Sequence, residues 1–293
     1  MNINSILVIA DKQDCEQKAL AHSATLAAKF DAKLHVVAFY YEHLASISAD
    51  LDKEQIEALK EKILQAHKDQ LSSKIVDLGI KAELELQVVW EKDISAWVKK
   101  HCKTTHYDVI VKTGHRSEGA FYVPTDWHLM RNGQTPVLLV ADKKWRKKRA
   151  IMVALDMATK VKSKQALNQK LIDAATKLSS ISGMPVHYCF SLAISPVLKD
   201  LGIIDKDKTL KQAKQKYIPI IQQMVGDQPV SPDHIHIKAG DPSNVIPSLA
   251  SKVQAELVII GSIGRKGLRA KLMGNTAESI LTLLKTDVLV MQP

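Results

Sequence analysis

The chain has 293 residues, a net charge of +10 and a hydrophobic fraction of 46%. That apolar content is enough for packed interiors and excludes intrinsic disorder. The length exceeds one ordinary α/β core and suits two. No apolar run approaches the roughly 20 residues that cross a bilayer. The opening Met1-Asn2-Ile3-Asn4-Ser5 has no basic leader and no small-residue cleavage site, so a cytoplasmic location is expected. The cysteines, Cys15, Cys102 and Cys189, are widely spaced and make no disulfide framework.

In chain order, Ile6 to Asp11 reads as an apolar strand closing on aspartate, followed by an Ala-rich helix around Cys15 to Phe30. A strand over Leu34 to Tyr40 comes next. From Asp52 to Leu78 a long helix is predicted. Ile56, Leu59, Ile63, Ala66 and Ile75 lie near one face, Asp52 and Gln55 have capping-box spacing, and Gly79 is the stop. Strands follow at Leu84 to Trp90, Tyr107 to Thr113 and Val137 to Ala141. Lys143-Lys144-Trp145-Arg146-Lys147-Lys148-Arg149 then packs six positive charges into a linker. Such a run is usually a solvated segment, with attraction to nucleic acid or anionic lipid as the functional alternative.

The pattern then restarts. Ile151 to Asp156 is again a strand closing on aspartate. The next helix places Leu167, Leu171, Ala174, Leu178 and Ile181 on one face, with Gly183 and Pro185 as stops. A strand over Val186 to Leu192 follows. A helix from about Lys208 to Val225 contains Pro219, where a kink or break is expected. After a strand at Ile235 to Ala239, Asp241-Pro242 opens a helix as N-cap and first helical residue. The last strands are Glu256 to Gly261 and Val288 to Met291. Alternating strands and helices imply parallel sheets with helices on both faces. A repeat of roughly 145 residues means two similar domains, because solenoid repeats run about 20–50 residues. The expected domains are 1–143 and 149–293.

The halves differ in chemistry. In the second, an apolar strand ends at Gly261; Gly264 follows, then nine residues, then Gly274-Asn275-Thr276-Ala277-Glu278 at a helix start. Glycines let a backbone approach an anion, and a helix N-terminus aims free N–H groups and a positive dipole at it. Arg265, Lys266, Arg269 and Lys271 lie between the last two glycines. Asn275 and Glu278 fit a capping box. In the first half Thr113, Arg116 and Val123 stand opposite the three glycines, so its phosphate cradle is expected to be lost. Asp156 is placed at a strand's carboxyl end, where open α/β sheets bind ligands, to accept from a ribose hydroxyl.

These features resemble the universal stress protein family. Its ATP-binding members carry glycine, two residues, glycine, nine residues, glycine, then serine or threonine. Gly261, Gly264 and Gly274 fit, whereas Asn275 stands at the next position and Thr276 follows. The Val-Ala-Leu-Asp run ending at Asp156 resembles the family's first strand, and Gly240-Asp241-Pro242 its glycine-x-proline turn. The fused pair and the Thr125-Asp126-Trp127 segment resemble the E-type tandem branch. The resemblance implies two five-stranded parallel domains of strand order 3-2-1-4-5, helices on both faces, and a non-catalytic stress-response role as regulator or sensor. ATP or another adenine nucleotide would lie in the second domain at Asp156, Gly240, Gly261, Gly264, Gly274, Asn275 and Thr276. The alternatives are an apolar or lipid-like ligand, or interaction with a protein, a second copy of the chain, or nucleic acid through Lys143 to Arg149.

Other candidates are plainer. His101, Cys102 and His106 fit no standard zinc spacing. His234 and His236 would share one strand face. Trp90 and Trp97 bracket a strand-to-helix turn and read as packing residues or as pocket walls. No nucleophile-elbow serine or Lys-containing P-loop is present.

Overall fold

The computed structural model describes residues 2–12, 16–44, 52–114, 125–132, 134–141, 149–194, 197, 201, 204–226, 230–262 and 275–293. The chain divides into two compact units. One holds residues 2–129 with 137–140; the other holds 130–136 with 141–293.

In the first unit the strands are β1 (Ser5–Ile9), β2 (Lys33–Tyr40), β3 (Leu84–Trp90), β4 (Val109–Thr113) and β5 (Val137–Val140). They pair in parallel in the order β3-β2-β1-β4-β5. The helices are α1 (Lys18–Phe30), α2 (Lys53–Asp77), α3 (Ile94–His101) and α4 (Thr125–Asn132). The second unit repeats the scheme with β6 (Ala150–Leu155), β7 (Val186–Leu192), β8 (Ile235–Ala239), β9 (Ala255–Gly261) and β10 (Asp287–Met291), in the order β8-β7-β6-β9-β10. Its helices are α5 (Lys162–Ser182), α6 (Lys206–Val225), α7 (Pro242–Lys252) and α8 (Asn275–Leu283). Both orders are 3-2-1-4-5, as the resemblance implies.

The innermost strands, β1 and β6, are apolar apart from Ser5 because helices cover both their faces. Ile6, Leu7 and Val8 of β1, and Ile151, Met152 and Val153 of β6, are fully buried. Each such side chain contributes about 1.5–3 kcal/mol. In the second unit, alternation along β7 sorts the helices. Tyr188 is hydrogen-bonded to Thr176 of α5, and the Phe190 ring meets Tyr217 of α6 at 5.0 Å, so those two helices share a face. Helices α7 and α8 pack together and α7 lies against β7.

The caps follow the sequence. Asp52 accepts from the Gln55 amide at 2.8 Å, and the Gln55 side chain accepts from the Asp52 amide at 3.0 Å, completing the box. Gly79 and Gly183 end their helices at φ of +62° and +72°, where a side chain would be strained. Two expectations need correction. The α2 stripe is only lightly packed: Ile56, Leu59, Ile63 and Ile75 are half-buried, Ala66 is exposed, and Leu71 is the buried residue. Helix α6 also runs unbroken through Pro219. Pro219 and Gln215, whose carbonyl loses its amide partner, are both exposed, so water can take that bond.

A buried ion pair fastens α4 to β4. Lys112 Nζ lies 2.8 Å from Asp126 Oδ1, with 8% and 5% of the two side chains exposed. Lys112 also donates to the Thr113 carbonyl at 2.9 Å.

Asp52→Ala is expected to cost about 0.5–2 kcal/mol in a denaturant melt, because α2 has little burial to hold its first turn. Asp126→Ala should cost more, about 3–5 kcal/mol, by leaving the Lys112 ammonium buried and unpaired. The double variant Lys112→Met with Asp126→Leu should recover most of that loss. Additive melts would show that the two side chains do not act as a pair.

Candidate functional site

The carboxyl ends of β6, β7 and β9 surround a cavity of about 610 Å³ in the second unit. The amino-terminal halves of α5 and α7, and Ile280 of α8, form its other walls. Leu167, Phe190, Ile246 and Ile260 give it a largely apolar surface, while Asp156, Lys164, Asn168 and Ser262 supply polar groups.

Asp156 immediately follows β6. A two-point bond fixes its backbone: its N–H donates to Asn168 Oδ1 and its carbonyl accepts from Asn168 Nδ2, both at 3.0 Å. Asn168 lies on the buried face of α5 between Leu167 and Leu171, so the bond ties strand end to helix. The Asp156 carboxylate is half exposed and meets Lys164 at 3.4 Å. An exposed pair of this kind is worth at most about 1 kcal/mol, so both groups are open to exchange for a ligand.

Gly261 ends β9. A Cβ there would sit 2.6 Å from Leu167 Cδ2 and 3.1 Å from Leu167 Cγ. The glycine therefore lets α5 close on the strand and seats Leu167 in the cavity wall. Ser262 next to it is buried, and its N–H donates to the Met291 carbonyl at 2.8 Å. Gly240 follows β8 at φ +148°. Its N–H donates to the Leu192 carbonyl at 3.0 Å, and its carbonyl accepts from Ser191 Oγ at 2.7 Å. Asp241 caps α7 by accepting from the Ser243 hydroxyl and from the Ser243 amide at 2.8 Å. Those donors hold its carboxyl below the usual carboxylate range.

Asp156 and Gly261 thus stand on the cavity wall at the ends of the paired strands β6 and β9, whereas Gly240 ends β8, beyond β7, and does not line the cavity. Asn275 and Thr276 are the first two residues of α8. Gly264 and Gly274 lie outside the described residues, as do Arg265, Lys266, Arg269 and Lys271. Lys143 to Lys148 of the basic run also lie outside them; Arg149 Nε meets Glu256 Oε1 at 3.5 Å.

At the corresponding point of the first unit the polar groups bond to one another. Thr113, at the end of β4, donates to Asp11 Oδ2 at 2.8 Å and accepts from the Ala19 amide at 3.1 Å. Gln17 binds the Asp11 backbone as Asn168 binds that of Asp156: its Oε1 accepts from the Asp11 amide and its Nε2 donates to the Asp11 carbonyl, both at 3.1 Å.

The sequence reading missed Asn168, Lys164 and Phe190. An asparagine inside the apolar stripe of a helix was the available signal, since a buried amide demands partners. Trp97 proves to be packed, stacking on His101 at 4.4 Å and meeting Phe39 at 5.2 Å. Trp90 meets Tyr40 at 5.2 Å. Among the described residues no three His, Cys, Asp or Glu side chains are grouped to hold a metal ion. No described helix is long and apolar enough to cross a membrane.

Residues 2–141 and 148–292 each match the Universal stress protein family. The chain is 27% identical to the universal stress protein E homolog of Haemophilus influenzae, with 100% of this chain and 98% of that protein covered. It is 24% identical to universal stress protein E of Escherichia coli K12, covering 99% and 94%. Among solved structures, a functionally unknown protein of Pseudomonas aeruginosa PAO1 has a TM-score of 0.70 at 22% identity, covering 99% of this chain and 93% of that one. A universal stress protein of Archaeoglobus fulgidus has a TM-score of 0.64 at 17% identity, covering 100% and 99%. The chain belongs to the universal stress protein family, as a tandem of two of its domains resembling universal stress protein E.

Proposed function

We propose that this is a cytoplasmic, non-catalytic stress-response regulator that senses an adenine nucleotide in its second domain. The proposed domains are 1–143 and 149–293. The observation that carries the reading is the cavity at the carboxyl ends of β6, β7 and β9, with the half-exposed Asp156 carboxylate on its rim. Ligands of open α/β sheets bind beyond such strand ends. Asp156 accepts from the ribose hydroxyls, and the apolar wall of Leu167, Phe190 and Ile246 takes the base. Gly240 and Gly261 leave the backbone close to the ligand. The phosphates lie toward Gly264, Gly274 and the amino terminus of α8 at Asn275 and Thr276, whose free N–H groups and dipole favour an anion. Lys164 swings from Asp156 to the phosphates. Among the described residues Cys102 and Cys189 form no disulfide, which suits a reducing compartment. A second copy of the chain, or another protein, reads the ligand state.

The apolar wall also favours a second reading, an apolar or lipid-like ligand in the same cavity. Mass spectrometry of gently purified protein separates the two by the identity of what it retains.

Titration calorimetry with ATP tests the first reading. Asp156→Ala should weaken binding about tenfold to a hundredfold, the equivalent of about 1.5–3 kcal/mol for a hydrogen bond to a charged group. Gly264→Val should abolish binding, and Arg116→Ala should leave it unchanged. No heat from the wild type at millimolar ATP, or equal binding by Gly264→Val, would remove the nucleotide from this site.

A further inference from the structure

At the opposite, amino-terminal end of the second sheet, three histidines converge. His187 is the second residue of β7, His236 the second of β8, and His234 ends a 3₁₀ turn (Pro232–His234) that enters β8. His187 Nδ1 lies 2.9 Å from His236 Nε2, so one ring donates to the other. The His187 ring centre is 4.3 Å from that of His234 and 5.1 Å from that of His236. The sequence had paired His234 with His236 on one strand; His187 is the member that only the sheet brings in.

The charges around the cluster are mainly positive. Lys238 on β8 and Lys252 at the end of α7 both oppose protonation of His236, and Asp233 in the turn favours it. On β7 Tyr188 turns to the opposite face, toward Thr176, and Cys189 has its thiol pushed by burial up to about 12, leaving it neutral. Helices α5 and α6 meet the other face of β7, through Thr176 and Tyr217.

The first unit has a histidine at the matching place and a different arrangement. His35 pairs with Leu7 as His187 pairs with Met152, and Leu7 and Met152 each stand four residues before the strand-end aspartate. There the Tyr107 hydroxyl sits between His35 Nδ1 and His101 Nε2, 2.9 Å from the latter. A hydroxyl can donate to one ring and accept from the other. In the second unit, bare rings face one another.

We propose that His187, His234 and His236 form an acid-operated latch: neutral, they hold the β7–β8 edge together, and protonation drives them apart and loosens β8 and α7. Strand β8 is the outermost of its unit, paired to β7. Helix α7 packs on β7 and supplies Pro242 and Ile246 to the cavity wall. Loosening it opens the cavity, whatever the cavity binds.

The direction follows from the environment. Burial and then the neighbouring histidines push His187 down to about 4, and burial followed by Lys238 lowers His236. A histidine held below its ordinary value of about 6.5 costs nothing while both folded and open forms are neutral. As pH falls from about 6.5 toward 4, the open form takes up protons that the closed form refuses, and stability is lost in that window.

Hydrogen exchange followed by mass spectrometry at pH 7 and pH 5 tests the latch, with the intrinsic pH dependence of exchange corrected. Peptides covering 186–192 and 232–252 should exchange roughly tenfold faster at pH 5, while those of β6 and β9 stay protected. His187→Phe with His236→Gln should flatten the response. Should that variant fail to fold, His234→Gln at the half-buried turn position removes one repelling ring and should reduce the acid response. Equal protection of the wild type at the two pH values would overturn the proposal, as would an unchanged acid response in the folded variants. Histidine titration by NMR provides a separate check: a His187 value at or above 6.5 also overturns it.

Discussion

Where β9 runs out, the missing side chain of Gly261 lets Leu167 of α5 come within contact of the strand backbone. The cavity around it is built on that approach. The helix is drawn in far enough for Asn168 to clamp the Asp156 backbone, and the clamp fixes where the carboxylate leaves the sheet. At the matching position of the first unit, Thr113 has a hydroxyl to place. It turns inward to Asp11 and the first turn of α1, so the strand-end carboxylate there is spent on internal bonds. One residue difference at the end of the fourth strand thus separates an aspartate bonded to Thr113 from one left half exposed on the cavity wall. The residue before it differs to the same effect. Lys112 is committed to the buried Asp126, whereas its counterpart Ile260 forms part of the cavity wall.

The two ends of the second sheet are physically linked. Helix α7 starts at the cavity, capped by Asp241, and ends beside the histidines at Lys252. Pro247 removes one backbone bond within it, yet the helix is one continuous element joining the cavity to the histidines. Its packing is modest: Ile246, Leu249 and Ala250 are its buried residues. An element of low burial is where a local opening is cheapest. The histidine end and the cavity end therefore share one helix.

Most of the fold was legible in the sequence, and the reason is particular. Strands such as Leu84–Trp90 and Ile235–Ala239 are short apolar runs between turn residues, and their limits agree with expectation. The Asp52–Gln55 box was readable because it lies within four residues. What depended on distant partners was not readable. Leu71 is the buried residue of α2, and it lies outside the stripe read from the sequence. Pro219 leaves α6 whole because its side of the helix faces water. Of the site, Asp156, Gly240 and Gly261 could be placed at strand ends from the pattern alone. Asn168 could not be assigned a partner, because its bonds span twelve residues and a turn.

The histidines show the same limit more sharply. His35 and His187 occupy one position of a duplicated strand, yet their chemistry is set by what the neighbouring elements deliver. In the first unit that is a tyrosine hydroxyl, able to bond a ring on either side. In the second it is two further imidazoles with two lysines near them. Burial lowers the proton affinity of His187, since a charged ring loses solvation. The positive neighbours distinguish the second unit: Lys238 and Lys252 oppose protonation of His236, and His234 and His236 oppose that of His187. A polar cluster that is satisfied only while neutral is stable over a limited pH range. Placed on β7 and the outer strand β8, beside the end of α7, it couples protonation to a helix whose other end lines the cavity.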